Sequence, residues 1–300
     1  MIGTIISGHL YAEEPSAPYY ELREKEIYQF CLKLFDEGEY YRAITEAKRY
    51  IAVVPGGKNI EEMYLLIANA YLLSEEWSEA VENYDRFIIS FPDSAYLHQV
   101  TFSKAICLIK MKDYKKAEIL FQKIIDDSDP SKKTESVLWK ILLLINENRF
   151  EEIDKLLDEG FIRNLVKQKI DIIQQTIRFK KKLSYKSPRL AGAMSAILPG
   201  SGQFYIERYK DGTYSFILNA LFIWGAYAAF ENDNIGLGCV MTIFEAGWYT
   251  GSVYGAVSGA HKYNRKIDSD IFKRSVENFG LTEYEIRRTP SIVINFQFTF

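Results

Sequence analysis

Between residues 24 and 183 the sequence repeats itself. The segment Gly38-Glu-Tyr40-Tyr-Arg-Ala43-Ile recurs as Glu75-Glu-Trp77-Ser-Glu-Ala80-Val, then as Lys112-Asp-Tyr114-Lys-Lys-Ala117-Glu, and more weakly as Asn148-Arg-Phe150-Glu-Glu-Ile153. The anchors Ala43, Ala80, Ala117 and Ile153 are spaced by 37, 37 and 36 residues. Upstream of each lies a second apolar-periodic stretch, such as Tyr64-Leu-Leu-Ile-Ala68-Asn-Ala-Tyr71, so each unit reads as helix, short turn, helix. One such hairpin cannot bury its apolar face alone. Neighbouring copies complete the core, and the array curves into a superhelix. Alanine at the anchor lets two helices approach, and the aromatic three residues earlier fills the space in front of it.

These residues resemble the tetratricopeptide repeat, in the aromatic before the anchor, the large residue four after it, and the closing Pro55 and Pro92. The second copy, with Phe91-Pro-Asp-Ser94, is similar to the repeats of envelope lipoproteins that serve outer-membrane assembly and of Tol–Pal-associated periplasmic proteins. The resemblance implies a concave surface, lined by the first helix of each pair, that receives a peptide or helix of a protein partner. Mapped onto this chain, that groove includes Tyr28, Leu32, Leu65, Asn69, Phe102 and Ile106. It lacks the Lys and Arg cluster that clamps a terminal carboxylate, which favours an apolar or aromatic ligand segment. The alternative for each of these positions is packing against a neighbouring helix. Phe161–Leu183 reads as one further amphipathic helix capping the array.

The second half changes character. Residues 1–177 carry 30 acids against 22 bases, whereas residues 178–300 carry 10 acids against 15 bases. Six bases (Arg178, Lys180, Lys181, Lys182, Lys186, Arg189) precede Leu190–Ile206, a 17-residue uncharged stretch broken at Pro199-Gly200. Thr213–Phe230 follows with 18 uncharged residues, and Ile235–Ala260 with 26 residues and one charge, Glu245. The last two are long enough to span a bilayer and are joined by Glu231-Asn-Asp-Asn234, so they read as a hydrophobic helical hairpin. Gly247, Gly251, Gly255 and Gly259 form a stripe at four-residue spacing, which permits close helix packing. The Thr213–Phe230 helix is the expected partner, with Asn219 and Gly225 facing the stripe. Leu198-Pro-Gly-Ser-Gly-Gln203-Phe-Tyr205, followed by the hairpin and by His261-Lys-Tyr263-Asn264, resembles an uncharacterised bacterial membrane module with a PGxGQxY signature. That resemblance implies location and no activity. Gln203 and Glu245 are its polar candidates for function.

Met1–Ala12 reads as the remnant of a signal peptide, lacking a basic n-region. At the other end, Asp268–Arg288 reads as a polar helix interrupted at Gly280, and Ser291–Phe300 alternates as a strand. Cys31, Cys107 and Cys239 show neither disulfide nor metal spacing. No Ser/His/Asp, Cys/His or paired-carboxylate constellation appears, and the basic run has no aromatic platform for nucleic acid.

The sequence thus predicts an all-α protein: a tetratricopeptide-like superhelix over 20–183, a basic linker over 184–189, a hydrophobic membrane module over 190–262, and a polar helix with a short C-terminal strand over 263–300. The expected role is a non-enzymatic, membrane-anchored scaffold of the bacterial envelope, without cofactor or metal, its partners a protein segment and the lipid bilayer. The repeats are expected in the periplasm. The basic flanks of the hairpin favour the reverse, a cytoplasmic array on the inner membrane. A second functional reading is a membrane enzyme or transporter component acting on a lipid or ion through Glu245 and the Gly200–Gln203 loop.

Overall fold

Each predicted helix–turn–helix unit is present in the computed structural model, which describes residues 17–127, 130–281, 283–289 and 292–297. The segment read as a signal remnant lies outside these residues. The chain forms two units. The first comprises the described residues up to Leu143, Asp158–Val166 and the strands that follow Leu281; the second comprises Leu144–Leu157 and Lys167–Gly280.

In the first unit, α1 (Ala17–Asp36) pairs with α2 (Tyr40–Val53), α3 (Ile60–Leu73) with α4 (Trp77–Ser90), and α5 (Leu97–Lys110) with α6 (Tyr114–Asp127); α7 (Pro130–Asn146) follows. The second helix of each pair buries one narrow stripe: Ala43, Ile44, Ala47 and Tyr50 on α2, Ala80, Tyr84 and Phe87 on α4, Ala117, Phe121, Ile124 and Ile125 on α6. The first helices of the second and third pairs are more deeply enclosed. Eight of fourteen residues are buried on α3 and nine of fourteen on α5. The array continues into α7 through a stack of the Phe121 and Trp139 rings, whose centroids are 6.1 Å apart.

The turn inside each repeat is the same device. Gly38, Glu75, Lys112 and Asn148 all adopt left-handed backbone, with φ between 60° and 77°. At Glu75, for example, its N–H bonds Leu72 O and the next N–H bonds Tyr71 O, at 3.1 and 3.0 Å. This pair of bonds satisfies the last carbonyls of the helix and turns the chain sharply. Three of the four positions, Glu75, Lys112 and Asn148, carry a side chain, so those three repeats each accept about 1–2 kcal/mol of backbone strain at this point.

The fourth copy is divided: α7 as far as Leu143 belongs to the first unit, and α8 (Phe150–Asp158) to the second. The expected single helix over Phe161–Leu183 is three pieces, α9 (Gly160–Leu165), a 3-10 turn at Lys167–Lys169, and α10 (Ile170–Lys182). Within the second unit, α11 (Pro188–Ile197), α12 (Ser201–Tyr205), α13 (Tyr209–Glu231) and α14 (Ile235–Phe279) form the hydrophobic module.

Helix α14 runs for 45 residues, about 68 Å at 1.5 Å per residue. The helix therefore runs on past 262, through the residues expected to form the polar helix. No Gly or Pro occurs between His261 and Phe279 to end the helix. It stops at Gly280, whose φ of 72° makes it a left-handed cap. Beyond it the helix expected to reach Arg288 is instead a strand, β1 (Glu283–Thr289), paired antiparallel with β2 (Ile292–Gln297). The alternation expected of the last segment alone extends to Glu283-Tyr-Glu-Ile, so the tail is a hairpin. β1 lies alongside α3 and α5 in the first unit.

Candidate functional site

The residues expected to line an open groove are mostly closed. Leu65 and Asn69 are fully buried, and Phe102 and Ile106 are each 2% exposed. Asn69 Oδ1 accepts a 2.8 Å bond from the Tyr84 hydroxyl, and the Phe102 ring meets Phe121 edge-on at 5.4 Å. Both side chains are thus spent on the second helices α4 and α6. Tyr28 and Leu32 on α1 are partly buried against the first core cluster, and the Tyr28 hydroxyl donates to Glu62. The sequence held a sign of this: Met63-Tyr-Leu-Leu-Ile-Ala-Asn-Ala-Tyr-Leu-Leu73 carries no polar stripe, as a helix enclosed on most sides requires.

In the module, the PGxGQxY segment is a packing device. Ser187 caps α11, its Oγ accepting from the Leu190 N–H at 3.3 Å, with Pro188 at the first helical position. Gly200 has φ 93°, and a Cβ there would sit 2.3 Å from the Gly212 carbonyl oxygen. A Cβ on Gly202 would sit 2.0 Å from Ala191 O. Short α12 is thereby pressed against α11 and α14. Gln203 is 5% exposed; its Oε1 accepts from Ser195 Oγ at 2.9 Å and its Nε2 donates to Ser252 O at 2.9 Å. The Gly202 N–H donates to Ser195 Oγ, the Gly200 N–H to Ser252 Oγ, and Ser215 Oγ bonds Ser252 Oγ, so four segments meet in one network. It contains no ionisable group, so it offers no general acid or base.

The glycine stripe does not lie against α13 as expected. A Cβ on Gly259 would meet Ile206 at 2.3 Å, and one on Gly255 would meet Gln203 Nε2 at 3.6 Å, so this half receives the end of α12. Gly247 and Gly251 have nothing within 4 Å of the corresponding position. Helix α13 meets a different face of α14: Gly225 sits over Met241, Phe230 over Gly238, and the Phe222 and Phe244 rings stack at 6.1 Å. Asn219 bonds back to Ser215 O at 2.6 Å rather than facing the stripe. Both Glu245 carboxylate oxygens are covered, with no hydrogen-bond partner among the described residues.

The basic run clasps the start of the module to α14. Lys180 is 3% exposed and pairs with Asp268 at 2.5 Å, and the Tyr185 hydroxyl donates to the same carboxylate at 2.6 Å. Burial draws the Lys180 ammonium down, but the bonds to Asp268 and Tyr185 more than restore it, leaving it above the ordinary lysine value. Lys186 bonds Glu207 at 3.0 Å and lies over the Tyr205 and Tyr263 rings. Asn264 clamps the Lys186 backbone through both N–H and C=O, each at 2.9 Å. The signature residues Tyr205, Tyr263 and Asn264 are accounted for by this clasp, a role that sequence spacing alone did not disclose.

Fold and site together define an all-α protein with a tetratricopeptide-like array, a hydrophobic helical module and a small C-terminal β-hairpin. Residues 20–140 match a family model described as YfiO, outer membrane lipoprotein. The repeat part of the chain is similar to that family over less than half of the whole length. Among solved structures, a tetratricopeptide repeat protein from Parabacteroides merdae ATCC 43184 aligns at 14% identity, over 84% of this chain and 98% of that one, with a TM-score of 0.41. None of the curated proteins matches the chain.

Proposed function

We propose that this protein is a non-enzymatic scaffold of the bacterial cell envelope, anchored in a membrane by α13 and α14, whose repeats hold a protein partner. The observation that carries the anchoring is the outer surface of the module. Phe216, Leu221, Ile223 and Trp224 on α13 and Ile243, Phe244 and Trp248 on α14 are all exposed, between 47% and 72%. Only 17% of the most apolar stretch of α13 is buried within the protein, whereas the core helix of a soluble domain is mostly buried. Its 23 residues extend about 35 Å, enough for a hydrocarbon core of about 30 Å. Among the described helices it alone is long and apolar enough to cross a membrane; α14 pairs with it and supplies the return path. A continuous apolar surface of this kind is a binding surface, and lipid is the partner that fits both its length and its lack of polar relief.

The similarity of residues 20–140 to an outer membrane lipoprotein family supports the envelope setting, with the repeats on the periplasmic side. The alternative of catalysis or transport through Glu245 and the Gly200–Gln203 loop loses half its machinery, since the loop is consumed in packing.

The test is protease access to the repeat domain in intact cells, spheroplasts and separated membranes. Digestion in spheroplasts, with the protein in a membrane fraction, supports the proposal. Protection until lysis overturns the periplasmic placement, and recovery in the soluble fraction overturns the anchoring.

A further inference from the structure

The C-terminal hairpin sits on the helices from which the array is expected to bind. β1 lies alongside α3 and α5, the first helices of successive repeats. Its pairing register sets Tyr284 opposite Phe296 and Ile286 opposite Ile294, while Glu283 faces Gln297 and Glu285 faces Asn295. Since alternate residues share a face, the hairpin has one apolar face built from two aromatic and two aliphatic positions, and one polar face. A lone two-stranded hairpin is marginal in water and persists only when an apolar surface covers one side. Helices α3 and α5, with eight and nine of fourteen residues buried, are the elements beside which β1 lies.

We propose that the face formed by α3 and α5 is the binding surface of the repeats, and that the β1–β2 hairpin occupies it in cis. The partner it fits is an extended, strand-forming segment with alternating apolar residues, which must displace the tail in order to bind. This rests on the scaffold reading above and names the segment class and the regulation of the same surface. Tethering is what makes the occupant effective. A segment linked in cis acts at an effective concentration on the order of 1 mM, so a free copy that binds the empty face at about 10 μM is weakened about 100-fold by the tail.

Two experiments test this. In the full chain, a photo-cross-linking residue in place of Tyr284 is expected to link to peptides from Ile60–Leu73 or Leu97–Lys110; links confined to other segments overturn the proposal. A synthetic peptide of residues 282–300 is expected to bind the chain truncated after Leu281 about 100-fold more tightly than the full chain. Substituting Ile286→Lys and Ile294→Lys in the peptide is expected to abolish that binding, and Glu285→Lys to leave it. Equal binding to both chains, or none to a truncated chain whose helical circular dichroism is retained, overturns the proposal. The scaffold reading fails separately, by the protease and fractionation results, neither of which depends on the tail.

Discussion

Glycine-to-alanine substitution has opposite expected signs at two positions of the module, and the difference follows from geometry. At Gly202 an added Cβ lies 2.0 Å from Ala191 O, 2.6 Å from Ser195 Oγ and 2.7 Å from the Ala256 Cβ. The first of these is about 1 Å inside any tolerable contact, and it involves backbone, which cannot rotate away. Relief requires α12 to withdraw from α11 and α14, which also stretches the Gly202 N–H bond to Ser195 and the Gln203 bonds to Ser252. Overpacking alone costs about 1–3 kcal/mol, and each stretched buried bond adds about 1 kcal/mol, so Gly202→Ala is expected to cost at least about 3 kcal/mol. Gly251 meets nothing within 4 Å and lies inside α14, where alanine gains about 1 kcal/mol of helix propensity. At about 4–8 °C per kcal/mol for a module of this size, Gly202→Ala lowers its unfolding midpoint by more than about 12 °C and Gly251→Ala raises it by about 4–8 °C. The assay is thermal unfolding in mild detergent followed by near-ultraviolet circular dichroism. A neutral Gly202→Ala, or a strongly destabilising Gly251→Ala, refutes the assignment of which glycines are in contact.

Further outcomes follow from other particular contacts. At the repeat turns, Gly38→Ala introduces left-handed strain with no steric contact and is expected to cost about 1 kcal/mol, whereas Lys112→Gly removes such strain and is expected to gain about 0.5 kcal/mol net of glycine's added chain entropy, both read from urea midpoints. Tyr84→Phe withdraws the hydroxyl that Asn69 accepts in the core and is expected to cost about 1–2 kcal/mol in the same assay. Asp268→Asn leaves the Lys180 ammonium enclosed without its counter-charge; because Asp268 is 40% exposed, the expected loss is about 3 kcal/mol, the low end for a broken buried pair. Lys180 is raised in the fold, so its contribution is complete below the unfolded lysine value of about 10.4 and is lost as pH rises through the folded one. The gap in stability between wild type and Asp268→Asn is therefore expected to be constant from pH 7 to 9 and to shrink toward pH 11; a gap that widens contradicts the pairing.

The repeat was legible because its chemistry is local and periodic: small anchors, aromatics three residues earlier, and apolar runs at helical spacing. The left-handed turns were not, since three of the four positions are Glu, Lys and Asn rather than glycine, and only the spacing of the turns hints that they share a geometry. The enclosure of Leu65 and Phe102 was half legible. From Met63 onward the helix of Leu65 lacks a polar stripe, but α5 carries Gln99, Ser103 and Lys110, and which neighbour covers each face depends on contacts distant in sequence. The glycine stripe misled for the same reason. Regular spacing shows that a helix can be approached closely, and it does not say by what; here α12 takes one half, and α13 meets a different face. The tail was misjudged at Gly280, where a helix stop was visible but the polar character of Glu283–Arg288 concealed its alternation.

The account turns on whether the exposed face of α13 and α14 lies in lipid. Cys31 and Cys107 are buried and their thiols are pushed up to about 11 and about 12, chiefly by burial, so neither competes for a thiol reagent. With Cys239→Ser removing the exposed native thiol, Ile243→Cys on α14 and, separately, Tyr41→Cys on α2 report on the two environments. The measurement is labelling by a water-soluble maleimide in proteoliposomes, with reagent introduced on both sides by freeze–thaw. An anchored scaffold predicts rapid labelling at position 41 and labelling at position 243 only after detergent is added. Equal labelling of the two positions in intact vesicles contradicts it, and would make the apolar face a surface for another protein.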